Sequence, residues 1–159
     1  MMNGQLFPEI FQVAEIEISY RNTTPFNERI LVNKSQSAYE ILNASWDKDK
    51  IELVEQFKIL LLNRQNHCLG IVNLSTGSSF GTPVDPRLVF AAALKANATA
   101  LVLAHNHPTG NVSPTNDDIV TTKSLAKAAE LFGIAIFDHL ILSKDGFFSF
   151  GANGLLPKK

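Results

Sequence analysis

Four short apolar runs limit what this chain can become. They are EQFKILLL (residues 55–62), LGIVNLS (69–75), ALVLA (100–104) and IAIFDHLILS (134–143). None approaches the ~20 consecutive apolar residues that span a bilayer. Each is instead about a strand long and nearly continuous in apolar residues, the pattern of strands covered on both faces. Segments with helical start and stop signals lie between them. Alternating strands and helices with at least two hairpins point to an α/β fold, a mixed β-sheet sandwiched by helices.

Local signals place the remaining elements. The first two runs, separated by NRQNHC, read as a hairpin in the centre of the sheet. RNTTPFNERILVNKS reads as a loop plus a short strand, and SAYEILNASW as a short helix capped by Ser35 or Ser37. Pro86 suits the first turn of a helix running to about Ala96, and RLVFAAALKA is apolar on more than one face, so that helix should be well buried. A longer helix is expected over residues 116–132, stopped by Gly133, and the turn KDG then joins the last apolar run to FFSF. Residues 13–20, VAEIEISY, alternate as a half-buried strand does. Residues 1–12 before them form a flexible arm, and residues 13–159 make one domain, as suits a chain of 159 residues.

Charge and cysteine usage narrow the setting. A net charge of -1 gives no overall field directed at nucleic acid or an anionic membrane. The single cysteine, Cys68, allows no internal disulfide, removes the Cys-rich zinc templates and suits a reducing cytosol. The amino-terminal MMNGQLFPEIFQ has no basic stretch followed by an apolar core, so the expected address is cytoplasmic.

Chemistry concentrates in LVLAHNHPTGNVSPTNDD, residues 101–118, which holds two of the four histidines. Residues i and i+2 of a strand share a side, so His105 and His107 emerge together at the carboxyl end of a buried strand, where α/β proteins place sites. PTGNVSP can then turn the chain, and a helix beginning near Thr115 puts Asp118 in its first turn. Two imidazoles and a carboxylate are the ligand types of a catalytic zinc site with an open fourth position. The same residues also fit a second reading: Thr115-x-x-Asp118 is a capping pattern, and histidines in loops are commonly surface or hydrogen-bonding residues. Spacing alone leaves both open. His139, in FDHLIL, reads as a hydrogen-bonded core histidine. His67 and Cys68 beside a hairpin turn do not make a metal site. Gly77, Gly81 and Gly110 read as turn glycines with no phosphate-binding pattern around them. The chain lacks H-E-x-x-H, and it lacks the H-x-E with P-C-x-x-C of zinc deaminases.

HNHPTGNVSPTNDD resembles the JAMM metalloprotease motif of JAB/MPN domains, which runs H-x-H, seven residues, S, two residues, D. The resemblance is strongest to the RadC-like branch. EQFKILLLNRQNHCLG, GTPVDPRLVFAAALKANATALVLAHNHP and FDHLILSKDGFFSF extend it across residues 55–151. It implies a three-layer, cytidine-deaminase-like architecture in which His105, His107 and Asp118 hold Zn²⁺. It also implies an upstream glutamate that activates water, and Glu55 matches that position while Glu52 does not align. Thr115 stands where the motif has serine, keeping the hydroxyl that assists a developing oxyanion but adding a methyl group. The implied activity is zinc-dependent hydrolysis of a peptide or isopeptide bond, with a peptide or protein substrate as partner. The RadC-like group is also labelled DNA repair and commonly carries an amino-terminal helix-hairpin-helix region. No pattern for that region is present, so its DNA binding is not expected here. The alternatives are a non-catalytic scaffold associated with DNA repair, or a metal-dependent nuclease, which the near-neutral charge disfavours. No membrane partner is expected. Oligomeric state stays open, with residues 13–20 offering an edge for pairing.

Overall fold

A computed structural model describes residues 14–78 and 81–158. Five strands form one mixed sheet: β1 (Gln56–Leu62), β2 (Cys68–Thr76), β3 (Ala100–Asn106), β4 (Ala135–Ser143) and β5 (Gly146–Ser149), in the order β2-β1-β3-β4-β5. β1 is antiparallel to β2 and to β3, β3 is parallel to β4, and β4 and β5 form an antiparallel hairpin. Three helices accompany the sheet: α1 (Ser35–Ser45), α2 (Pro86–Lys95) and α3 (Asn116–Glu130). The α/β sandwich expected from the apolar runs is the fold observed, and it is consistent with a JAB/MPN domain.

Every residue of β1 and β3 is buried, which explains their largely apolar sequences, interrupted by Gln56 and Lys58 in β1 and by His105 and Asn106 at the end of β3. Their side chains alternate between two cores. On one face Phe57, Ile59, Leu101 and Leu103 pack with Val89, Phe90 and Ala93 of α2 and with Leu125 and Ala129 of α3. On the other face Leu60, Leu62, Val102, Ala104, Leu140 and Leu142 pack with Ala38 and Leu42 of α1 and with Trp46 and Ile51 after it. Truncating any of these leucines to alanine costs about 2–5 kcal/mol, because the cavity left behind closes only partly.

Local chemistry sets the helix ends. Pro86 opens α2, and the Asp85 carboxylate accepts the Arg87 N–H at 2.9 Å. The Ser37 hydroxyl accepts the N–H groups of Asn33 and Lys34 at the start of α1 (3.2 and 3.3 Å). Ser35 turns away and donates to Asp138 at 2.6 Å. Beyond α3, Gly133 takes φ +65°, a left-handed conformation that stops a helix cheaply only when no Cβ is present.

Five features differ from the sequence expectation. The short strand read within residues 21–35 is only an isolated bridge from Leu31 to His67. Residues 14–20 form no strand, and Ile16 and Ile18 are 86 and 83% exposed. Alternation buries a face only where another layer covers it, and no layer of the described residues buries that face. The first hairpin lies at the end of the sheet, with β2 on the edge rather than in the centre, and β2 is accordingly only half-buried. α2 is amphipathic rather than buried all round, since Leu88 and Leu94 face solvent. β3 continues through His105 and Asn106 instead of ending at Ala104. The proposed flexible arm, residues 1–12, lies outside the described residues. Among the described residues no helix is long and apolar enough to cross a membrane.

Candidate metal centre

Strand parity places the first histidine. His105 continues the side of β3 that carries Leu101 and Leu103 toward α2 and α3. It is 2% exposed, and its ring stacks parallel to Phe57, its cross-strand partner on β1. The parallel ladder reaches one residue past the strand, with the His107 N–H donating to Leu142 C=O at 2.9 Å. Gly110, at φ +87°, then turns the chain in a conformation that disfavours any side chain. The returning loop presents the Asn111 carbonyl to His107 Nδ1 at 2.7 Å. α3 follows, capped by Thr115, with Asp118 at its third position.

The three side chains converge. His105 Nε2 lies 3.1 Å from His107 Nε2 and 3.1 Å from Asp118 Oδ1, and His107 Nε2 lies 3.4 Å from Asp118 Oδ2. One ligand atom from each falls within 4.8 Å of the others. Two ligands at 2.0–2.1 Å on a tetrahedral zinc are about 3.3 Å apart, so the spacing fits such an ion. The chemistry of the donors fits as well. A carbonyl only accepts, so His107 Nδ1 carries the proton shared with Asn111, and its Nε2 presents a lone pair when the ring is neutral. That lone pair and a carboxylate facing one another at this distance call for a positive charge between them.

Both sequence readings of Asp118 hold in the geometry. Its Oδ2 accepts the Thr115 N–H at 2.7 Å while its own N–H donates to Thr115 Oγ1 at 3.2 Å, a reciprocal capping box. The cap orients the carboxylate that faces the two rings. Burial works to raise the Asp118 carboxyl, but the hydrogen bonds of His105 and His107, the charge of His105 and the Thr115 N–H hold it well below the usual carboxylate range. Burial also opposes charge on His107. Its bonds to Asp118 and Asn111 and the negative charges of Asp118 and Glu55 outweigh this and raise its pKa above 6.5.

Glu55 stands one residue before β1 and lines the same cleft as Phe57, His105, Asp118 and His139. Desolvation is the main reason its pKa is raised above 4.5, opposed by His105 and His107. Its backbone is pinned on one side by Ser78 C=O (3.1 Å) and Gly77 N–H (2.8 Å). On the other side stands the fully buried Asn106, which lies between the two histidines but points toward the α1 face. Its amide donates to the carbonyls of Ile51 and Val54 (2.8 and 2.9 Å). Glu52, by contrast, is exposed and reaches Lys144 at 3.8 Å across the surface. Thr115 is exposed at the rim, its hydroxyl oxygen already accepting from Asp118 N–H.

Sequence reasoning passed over two polar residues around this centre and named no partner for a third, His139, which it read correctly as a hydrogen-bonded core histidine. Asn106 and Thr122 are fully buried, and His139, read only as a core histidine, bonds His105 Nδ1 through its own Nε2 at 2.8 Å. Burial pushes the His139 imidazole well below 6.5, and the neighbouring His105 adds to this. For Asn106 and His139 the available signal was a polar residue inside an apolar strand, which requires a partner; Thr122, on α3, carried no such signal. Among the described residues, His105, His107 and Asp118 are the one group of three or more such side chains arranged to hold a metal, and His67 and Cys68 take no part.

Comparison with known proteins agrees with this architecture. A family profile described as "RadC-like JAB domain" matches residues 32–155. A UPF0758 protein of Clostridium kluyveri is 41% identical over 102 residues, covering 64% of this chain and 45% of that protein. One from Alkaliphilus metalliredigens is 34% identical over 137 residues, covering 86% of this chain and 58% of its own length. One from Porphyromonas gingivalis is 44% identical over 103 residues, covering 64 and 45%. The chain thus spans about half the length of the curated relatives it matches. From the profile and these relatives, the chain belongs to the RadC-like JAB domain family.

Proposed function

We propose that this chain is a zinc-dependent hydrolase of JAMM type that cleaves a peptide or isopeptide bond in the cytoplasm. The observation that carries the reading is the convergence of His105, His107 and Asp118 within 4.8 Å in a cleft that Glu55 also lines. His105, His107 and Asp118 would hold the metal, and an imidazole and carboxylate set suits zinc. Bound there, the ion supplies a Lewis acid and makes water nucleophilic near neutral pH. Glu55 accepts the proton of the attacking water and delivers it to the departing amine. Its raised pKa brings it closer to the working pH, where proton transfer in both directions is efficient. Thr115 spends its oxygen on the Asp118 N–H but keeps its own proton, which is free to donate to the developing oxyanion at the cleft rim.

The net charge of -1 supports a peptide rather than a nucleic acid substrate. Metal analysis of native protein tests the first half of the reading, with equimolar zinc expected in the wild type and little in His107→Ala. A cleavage screen on proteome-derived peptides tests the second half. Cuts are expected from the wild type and not from Glu55→Gln, and identical cleavage by both proteins would remove Glu55 from the mechanism.

A further inference from the structure

We propose that His139 and Thr122 are positioning residues that hold a proton on His105 Nδ1, leaving its Nε2 as the nitrogen a metal would take. The inference deepens the reading of His105 as a metal ligand and rests on it. Three hydrogen bonds run in series behind the site. His105 Nδ1 meets His139 Nε2 at 2.8 Å, His139 Nδ1 meets Thr122 Oγ1 at 2.6 Å, and the Thr122 hydroxyl donates to Asp118 C=O at 2.6 Å. Their directions follow from the far end.

A carbonyl oxygen only accepts, so the single hydroxyl proton of Thr122 is committed to Asp118 C=O. Toward His139 the hydroxyl oxygen can then only accept, and His139 Nδ1 must carry a proton. His139 is 1% exposed and, among the described residues, its ring hydrogen-bonds His105 and Thr122 but no carboxylate, so burial disfavours a charged ring and leaves Nε2 as the acceptor. The proton in the last bond therefore belongs to His105 Nδ1. That leaves His105 Nε2 as the nitrogen turned toward His107 and Asp118, the one a cation would meet.

Aromatic packing keeps the relay in place. Phe150 stacks on His139 with ring centroids 4.7 Å apart and planes 17° from parallel, and Phe57 meets it edge-on. Asp138, buried beside it, accepts from the His139 N–H, from Ser35 and Ser149, and from the Gly151 N–H. These bonds fix the backbone of β4 at this point. The two histidines thus reach the same tautomer by different devices, His107 through a loop carbonyl and His105 through a side-chain relay. The relay ends on the backbone of Asp118, so it joins the ligand on β3 to the ligand on α3.

The test combines zinc titration with imidazole ¹⁵N spectra of metal-free protein, on full chains checked for folding by thermal melting. In the wild type, His105 should hold a proton on Nδ1. His139→Phe and Thr122→Val should bind zinc about 10–100-fold more weakly. In His139→Phe, the His105 proton should redistribute toward Nε2. Thr122→Ser and His139→Gln, which keep an acceptor and a donor in these places, should restore most of the affinity. Unchanged affinity in both disruptive variants, or an unprotonated His105 Nδ1 in the wild type, would overturn the relay. If the wild type takes up no zinc, the metal reading fails on its own, and the ¹⁵N spectra still decide the tautomer.

Discussion

Asn106 Oδ1 accepts the backbone N–H of Gln56 at 2.8 Å, so the residue between the two histidines holds the residue that follows Glu55. The same side chain ties down the carbonyls of Ile51 and Val54. One buried amide therefore sets the distance between the metal side of the cleft and its glutamate. In Asn106→Leu these three backbone groups lose their partner in the core, and the fold should lose about 3 kcal/mol, read from urea unfolding. Hydrolysis should fall further than zinc affinity, because the ligands sit on the other side of β3. An unchanged unfolding midpoint would show that the clamp has no energetic weight.

Glu55→Gln should bind zinc as the wild type does and lose about 10²–10⁴-fold in hydrolysis, since glutamine cannot accept the water's proton. A protonated Glu55 is equally inert, and burial has raised its pKa above 4.5. The acid limb of the wild-type rate profile should therefore lie above the ordinary glutamate range, with activity falling as pH drops through it. A limb at or below 4.5 would point to another base.

Thr115 tests capping against catalysis. Thr115→Val removes the hydroxyl that accepts the Asp118 N–H and should lower stability by about 1–2 kcal/mol. It should also weaken zinc binding, because the cap orients the Asp118 carboxylate. Hydrolysis at saturating zinc should fall by about 10²–10³-fold if the hydroxyl also serves the oxyanion. Thr115→Ser should stay close to wild type in all three measurements. A valine variant that loses stability but keeps its full rate would leave Thr115 as a cap alone.

Protons and metal compete for His107. In metal-free protein its pKa is raised, so its attraction to Asp118 and Glu55 stabilises the fold below the unfolded value and is lost as pH climbs through the folded one. A metal needs the opposite state, an open Nε2. Zinc affinity should therefore begin to fall at a pH above 6.5 on acidification, sooner than for an ordinary imidazole. Glu55→Gln removes one of the charges responsible and should move that onset to lower pH, measurable by competition with a chelator across a pH series.

The parts legible in the sequence are those written in consecutive residues. β1 and β3 are buried on both faces and so are largely apolar, KDG closes the last hairpin, and His105, His107 and Asp118 fall within fourteen residues, where the motif resemblance singled them out. What stayed hidden depends on strand order. The bond from His105 to His139 joins residues 34 apart, and that from Asn106 to Gln56 joins residues 50 apart. Neither pairing exists until β3 lies between β1 and β4. Residues 14–20 misled for the converse reason: their alternation is genuine, but among the described residues no layer gives it meaning.

The ligands all come from one strand, loop and helix, whereas Glu55 arrives from a distant segment fastened on by Asn106. If the chain works as proposed, metal uptake and hydrolysis should therefore respond separately to damage. Under the proposed reading, damage to that fastening disarms the cleft without emptying it.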